Sequence, residues 1–369
     1  MRFLTADYLY PLHTSPLKQG VLQLSKNGEV ISILKDRKLV PKKNLEFFKG
    51  ILCPGFVNAH CHLELSHLFE KIEKGNGLLD FIDAIKKRNN FDKEDILNAI
   101  VKAEQQMIKN GIVAVGDICN TSDTLFQKQK CNLTYYNFIE IFGVIDENVH
   151  DIIIKAKDLR NQFRLSGLKS TISPHSPYSV SKKLMRQILK NFDENDEVIA
   201  VHIQETNQEN KLFKNKNGDF LTWLQSINAS SEIWESRNKS IDILNELENK
   251  KMLMVHNTFA ELQDITSHYY CTCPKANLYI ENKLPNYSFF NPEKLCVGTD
   301  SLASNNSLSI LEELQIIREN SNFDLNTLLK IASKNGAEAL GLTALGTFQK
   351  GKKPGVNLIS GLNKIEIIA

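Results

Sequence analysis

Residues 53–68 read CPGFVNAHCHLELSHL, a short apolar run opened by Pro-Gly and closed by His60-Cys61-His62. Within the segment ILCPGFVNAH at 51–60, the length and the turn residues indicate a buried strand. Two imidazoles two residues apart on an extended chain point to the same side. Seven further runs share this form: GIVAVGDI at 111–118, LTYYNFIEIF at 133–142, STISPH at 170–175, EVIAVHI at 197–203, KMLMVHN at 251–257, HYYCTCP at 268–274 and KLCVGTD at 294–300. Longer amphipathic stretches separate them, such as 94–109 and 181–192, the second opened by Ser181 as a helix N-cap. Eight strand-then-helix units predict an α/β chain folded as a (β/α)8 TIM-type barrel.

Working outward, residues 1–50 carry short strands with turns at Lys26-Asn27-Gly28 and near Pro41, and the last 25 residues look alike. Both ends are expected to pair into a small discontinuous β-sandwich domain, 1–50 plus 345–369, beside a barrel at 51–344. The segment 205–233 is polar and rich in Asn and Lys, and is expected as a long loop over the barrel mouth.

The whole chain, 369 residues with 42% hydrophobic and 24% charged, has the composition of a folded globular protein. With 45 Lys and Arg against 43 Asp and Glu, its net charge of +2 offers no polyanion-binding surface, so nucleic acid is not an expected partner. Residues 1–10 do not form a secretory leader and no run reaches the ~20 apolar residues of a membrane span. No membrane association and a cytoplasmic location are therefore expected. The seven cysteines, odd in number and mostly inside apolar runs, read as buried hydrophobes and not as a disulfide framework.

In a barrel of this kind the C-terminal strand ends converge on one face. Five strands end there in groups with metal or proton chemistry: His60 and His62, His175, His202, His256, and Asp300. His13, His67, His150 and His268 lie elsewhere and read as ordinary polar residues. Three neutral imidazoles and a carboxylate suit one divalent metal ion, zinc first and iron as the alternative. Such an ion lowers the pKa of water toward ~7. Glu205, three residues past His202, is placed to shuttle protons over that site.

The motifs CPGFVNAHCHLELSHL, SPHSPYSVS, VHIQET, VHNTFA, CPKANLYI and VGTDSLASNNSLSILEEL together resemble the amidohydrolase superfamily, in its chlorohydrolase and purine-type deaminase branch. The resemblance implies metal ligands at His60, His62, His202 and Asp300. It further implies Glu205 as the acid/base that protonates a ring nitrogen, and His256 as the group that orients the attacking water. Asp300 would also accept that water's proton. His175, Asn277 and Ser301 match positions that face substrate, and Glu64 is read as a substrate contact, as a residue supporting the site from behind, or as a polar residue capping the loop. Strand four ends Ser173-Pro174-His175, and Lys169 lies at its beginning, so the bridging lysine of binuclear members is lacking and one metal is implied. The C-terminal KKPGVNLISGL departs from the usual family ending, which touches the small β-domain and not the site.

The first motif is similar to aminodeoxyfutalosine deaminases. Guanine, adenosine, S-adenosylhomocysteine and triazines remain open as substrate classes. A hydrolase of amide, carbamoyl or C–Cl bonds on the same metal is the alternative, and a non-catalytic scaffold the third class. A different zinc deaminase class needs H-x-E with P-C-x-x-C. His62-Leu63-Glu64 fits its first half, but Cys271-Thr272-Cys273-Pro274 has the wrong order and spacing. A small-molecule substrate is the expected partner, with a homodimer as the default for such barrels.

Overall fold

The computed structural model describes residues 1–192, 198–229, 239–247, 250–361 and 364–369. Apolar alternation in the first fifty residues produces β1 (Arg2–Leu9), β2 (Leu17–Lys18), β3 (Val21–Leu24), β4 (Val30–Leu34) and β5 (Leu45–Pro54). Eight strands of the barrel pattern follow: β6 (Phe56–Cys61), β7 (Ile112–Cys119), β8 (Thr134–Ile141), β9 (Lys169–Pro174), β10 (Ile199–Ile203), β11 (Met252–His256), β12 (Tyr269–Thr272) and β13 (Leu295–Val297). The chain closes with β14 (Val356–Ser360) and β15 (Lys364–Ile367).

Both ends of the chain enter one seven-stranded sheet, ordered β15-β14-β5-β1-β3-β4 with β2 on β1. Its buried side chains, among them Leu4, Leu22, Leu52, Phe348 and Leu358, form a cluster of their own. β5 runs on through Pro54-Gly55 into β6, which carries the chain out of this sheet. Gly55 is required there, because a Cβ would lie 2.3 Å from Val113 Cγ1.

The eight following strands form two parallel sheets of four, β6-β7-β8-β9 and β10-β11-β12-β13. Helices lie between them in sequence, including Lys93–Lys109, Val149–Leu165 and Lys182–Lys190, the last capped by Ser181, whose hydroxyl accepts the Leu184 N–H at 3.2 Å. Alternate side chains from both sheets, Val57, Ala59, Ala114, Phe138, Ala200, Val255, Cys271 and Cys296, meet in one buried cluster. The other faces pack into the main core with the helices. The two sheets join at their ends: His202 N–H donates to the His175 carbonyl at 2.9 Å, and Thr299 and Asp300 N–H both donate to the His60 carbonyl at 3.1 Å. A side-chain clasp reinforces the second junction, Asn58 donating to Thr299 Oγ1 at 2.7 Å and accepting the Thr299 N–H at 3.0 Å.

The segment expected as a long loop folds instead, in its described part, into two short helices, Asn207–Asn215 and Asp219–Ser226. The reason is an apolar stripe diluted by Asn and Lys: Leu212, Phe213, Phe220 and Leu224 are all buried, and Thr206 caps the first helix. Residues 230–233 of that segment lie outside the described residues, as does Glu197 at the expected start of β10. All seven cysteines are free thiols, six of them buried. Among the described residues no helix is long and apolar enough to cross a membrane.

Gly298 lets β13 close on β6, since a Cβ there would stand 2.6 Å from the His60 carbonyl oxygen and 2.8 Å from its Cβ. Gly298→Ala should therefore cost about 1–3 kcal/mol in urea unfolding through overpacking, whereas Leu165→Ala, 90% exposed, should change stability by less than about 0.5 kcal/mol. An unchanged midpoint for Gly298→Ala would show that the junction has slack.

Candidate active site

Parallel strands that all run one way bring their C-terminal ends to one face, and the strand-end residues of the sequence meet there. His60 ends β6 with His62 just beyond it, His202 lies in β10, His256 ends β11, and Asp300 follows β13. Several of these ends turn through left-handed backbone: Gln204 (φ 50°), His256 (φ 71°), Asn257 (φ 52°) and Asp300 (φ 55°). Such conformations are costly for non-glycine residues and persist where packing holds them, commonly at functional sites.

His62 Nε2 stands 3.2 Å from Nε2 of both His60 and His202. Asp300 Oδ1 lies 3.5 Å from His60 Nε2 and 3.4 Å from His62 Nε2. His202 Nδ1 is 3.0 Å from the backbone carbonyl of His175. A carbonyl only accepts, so that nitrogen carries the proton and Nε2 turns its lone pair to the cluster. The Ser304 hydroxyl donates to Asp300 Oδ2 and fixes the carboxylate.

Burial, against the pull of Asp300 and helped by His60, pushes His62 down to about 3. Burial and the neighbouring imidazoles hold His202 well below its ordinary value. For Asp300, burial opposes ionisation, but its hydrogen bond with His60 and the charges of His62 and His256 hold it well below the usual carboxylate range. Neutral imidazoles and an ionised carboxylate are the protonation states a divalent metal requires. Three imidazole nitrogens and a carboxylate oxygen at neighbouring separations of 3.2–3.5 Å form a nitrogen and oxygen donor set that fits such an ion.

Beside this cluster, Glu205 Oε1 lies 3.5 Å from His256 Nε2. Burial, then the charges of Asp300, Glu281 and Glu140, raise Glu205 well above the usual carboxylate range, toward its protonated form. The cluster opens into a cavity of about 490 Å³, lined at its floor by His62, His175, His202, Glu205, His256, Asp300 and Ser301. His175 Nδ1 is 2.7 Å from the Ser179 hydroxyl and 3.0 Å from the Ser176 hydroxyl, which holds the ring.

The structure sets Glu64 and Asn277 behind the cavity wall, not in it. The Glu64 carboxylate accepts the N–H groups of Asn120 and Thr121, each at 3.1 Å, and the Thr121 hydroxyl at 3.0 Å. Asn277 Oδ1 is 2.8 Å from His256 Nδ1 and orients that ring. In this arrangement Glu64 braces the 120–121 turn and Asn277 braces His256.

Sequence reasoning missed the rest of the lining. An apolar wall rises from Leu65, Leu78, Phe81, Ile82, Ile85, Trp223 and Ile227, and Arg88, Asn120 and Glu140 form a polar flank. Glu140 left a signal: it is the one charge in the apolar strand NFIEIF, and such residues are rarely buried without a purpose. Arg88, inside the charged run KKR, left none.

Comparison with known proteins fits this geometry. The amidohydrolase family model matches residues 51–368. An adenosine deaminase of Helicobacter pylori is 26% identical over 318 residues, covering 82% of this chain and 77% of its own. An aminodeoxyfutalosine deaminase of Nitratiruptor is 24% identical over 339 residues, covering 86% and 81%. Among solved structures, Helicobacter pylori aminofutalosine deaminase in complex with methylthio-coformycin superposes with a TM-score of 0.83 at 24% identity, covering 98% of this chain and 92% of that one. A zinc-bound adenosine deaminase from Xanthomonas campestris gives 0.74 at 18% identity, covering 97% and 84%. These likenesses carry the TIM-type barrel fold over to the two four-stranded sheets.

The geometry divides labour between neighbours in sequence. His202→Ala should lose bound divalent metal and activity together, whereas Glu205→Gln should keep the metal and lose turnover, read by elemental analysis beside an activity assay. Equal metal loss in both variants would contradict that division.

Proposed function

The chain belongs to the amidohydrolase family, and from that premise we propose that it is a hydrolytic deaminase releasing ammonia from an aminated purine nucleoside or a related heterocycle. The observation that carries this reading is the convergence of three imidazole nitrogens and the Asp300 carboxylate beneath a cavity that Glu205 also lines. His60, His62, His202 and Asp300 hold one divalent ion, with zinc favoured by their nitrogen and oxygen donors. When bound, that ion supplies Lewis acidity and makes water a competent nucleophile near neutral pH.

The protein's own groups do the rest. Glu205 delivers its proton to a ring nitrogen next to the aminated carbon, which makes that carbon electrophilic. His256, oriented by Asn277, hydrogen-bonds the attacking oxygen as charge builds on it. Asp300 takes the proton that water gives up and passes it toward the departing amine. A C–O bond forms as water adds, the C–N bond breaks and ammonia leaves, and the remaining hydroxyl proton returns to Glu205 as the carbonyl forms. His175 and Ser301, both in the lining, meet the substrate ring. The apolar wall excludes water and packs against the remainder of the ligand.

Among substrates, aminodeoxyfutalosine is the first candidate, supported by the relatives that act on it, with adenosine and its 5′-modified derivatives next. The same reading takes residues 51–344 as a (β/α)8 barrel and 1–50 with 345–369 as an accessory β-sandwich. A cytoplasmic homodimer completes it, resting on composition and on the habit of such barrels.

The test is ammonia release by metal-loaded protein across aminodeoxyfutalosine, adenosine, 5′-deoxyadenosine, S-adenosylhomocysteine, guanine and aminated triazines. The expected result is turnover on at least one purine nucleoside, abolished by chelation and restored by zinc. Turnover confined to amide, carbamoyl or C–Cl substrates would replace the deaminase reading with the alternative hydrolase.

A further inference from the structure

The strand that carries His60 does not alternate evenly. Between its pairings of Asn58 with Val115 and Cys61 with Asp117, β6 takes three steps where β7 takes two, a bulge of one residue. Val57 and Ala59 face the buried cluster that the two parallel sheets share, and even alternation would put Cys61 with them. Cys61 packs instead with Phe56 into the main core, on the side of the helices. The phase therefore flips between Ala59 and Cys61, which turns His60 and His62 inward. Gly116 makes room for the flip, because a Cβ there would stand 2.4 Å from the Ala59 carbonyl oxygen.

The far side of the bulge is held by a charge pair. Asp117 Oδ1 accepts the Leu63 N–H, one residue past His62, at 2.8 Å. Its other oxygen accepts from the Lys128 ammonium. Lys128 ends the short helix Leu125–Lys128, and its ammonium also donates to Asn137 Oδ1 at 2.7 Å and Cys119 Sγ at 3.2 Å, so all three of its donors are satisfied. The rings of Tyr135 and Phe163 lie 5.0 and 5.2 Å from the nitrogen. Both charged side chains are wholly buried. Burial opposes the ammonium's charge, but Asp117 and Cys119 outweigh it and hold Lys128 above its ordinary value. Neither Asp117 nor Lys128 lines the cavity, so neither is placed to meet substrate.

Desolvating two charges offsets much of their attraction, so a buried pair of this kind adds little to stability. Its effect here is geometric. We propose that Lys128 and Asp117 are positioning residues for the candidate metal centre: the ammonium fixes the carboxylate, the carboxylate fixes the Leu63 N–H, and the bulge is thereby locked with His62 aimed at His60 and His202. The inference rests on the metal-centre reading above.

The test is Lys128→Met, which removes the charge and keeps most of the side chain's length. Zinc is titrated calorimetrically into chelator-stripped wild type and variant, and cobalt(II) is loaded in parallel as a visible-absorption probe of ligand geometry. The variant should bind zinc about 10- to 100-fold more weakly, the range for residues that orient metal ligands from behind, with a changed cobalt spectrum. Leu22→Ala is the control, opening a cavity in the cluster of the terminal sheet. It should lower the unfolding temperature and leave zinc affinity and the cobalt spectrum at wild type. Wild-type affinity and spectrum in Lys128→Met, or an equal weakening in Leu22→Ala, would overturn the proposal. If Lys128→Met does not fold, Asp117→Asn combined with Lys128→Met leaves neither charge unpaired, and the same outcomes are read from that variant.

Failure of the metal reading is distinguishable, because wild type would then take up neither ion. In that event crystal structures of wild type and Lys128→Met decide for the pair alone. His62 displaced from its place beside His60 and His202 supports the assignment, and an unmoved His62 overturns it.

Discussion

Four polar atoms crowded into one shielded floor, three imidazole nitrogens and a carboxylate oxygen at neighbouring separations of 3.2–3.5 Å, are the constraint on which the rest of the molecule depends. Desolvation makes such crowding costly. Several of these groups are held from behind by residues that do not take part in the cluster. The His175 carbonyl fixes the His202 tautomer, Ser304 anchors Asp300, and the Asn58–Thr299 clasp ties the strand that carries His60 to the segment that carries Asp300. Gly298 permits that clasp sterically. The left-handed backbone at His256 and Asp300 is strain of the same origin: the chain bends where the cluster needs the side chain, and the barrel packing holds the bend.

The same burial that makes the cluster costly assigns the proton states. Desolvation lowers the histidines and raises Glu205, while the nearby imidazoles keep Asp300 ionised despite its own burial. Two carboxyls within one cavity are thus pushed in opposite directions, Asp300 toward its ionised form and Glu205 toward its protonated form. That separation of carboxyl roles by environment is what acid–base chemistry at neutral pH requires. The polar flank follows a related logic: Glu64, Arg88, Asn120 and Glu140 hold one another through side-chain hydrogen bonds.

Much of this was legible in the sequence because strand ends are. Once eight apolar runs are seen, their last residues fall on one face by the geometry of parallel sheets, and His60, His62, His202, His256 and Asp300 are found without knowing any contact. Residues that reach the cavity from elsewhere were not legible. The wall residues Phe81, Ile82 and Ile85 come from the helix Leu78–Ile85, and their pattern is that of any amphipathic helix. Trp223 arrives on a helix inside a segment whose Asn and Lys content had the look of a loop. Glu64 and Asn277 were found by motif, but their hydrogen-bond partners, Asn120 and Thr121 for the one and His256 for the other, were not legible, because spacing along the chain does not say which neighbour a side chain meets.

The central claim is that the floor of the cavity is a single-ion metal centre, and the most direct measurement is calorimetric titration of zinc into chelator-stripped protein. The account predicts one tight equivalent per chain, accompanied by a rise in unfolding temperature as the ion binds the folded state. No binding, or binding that leaves the unfolding temperature unchanged, would contradict it.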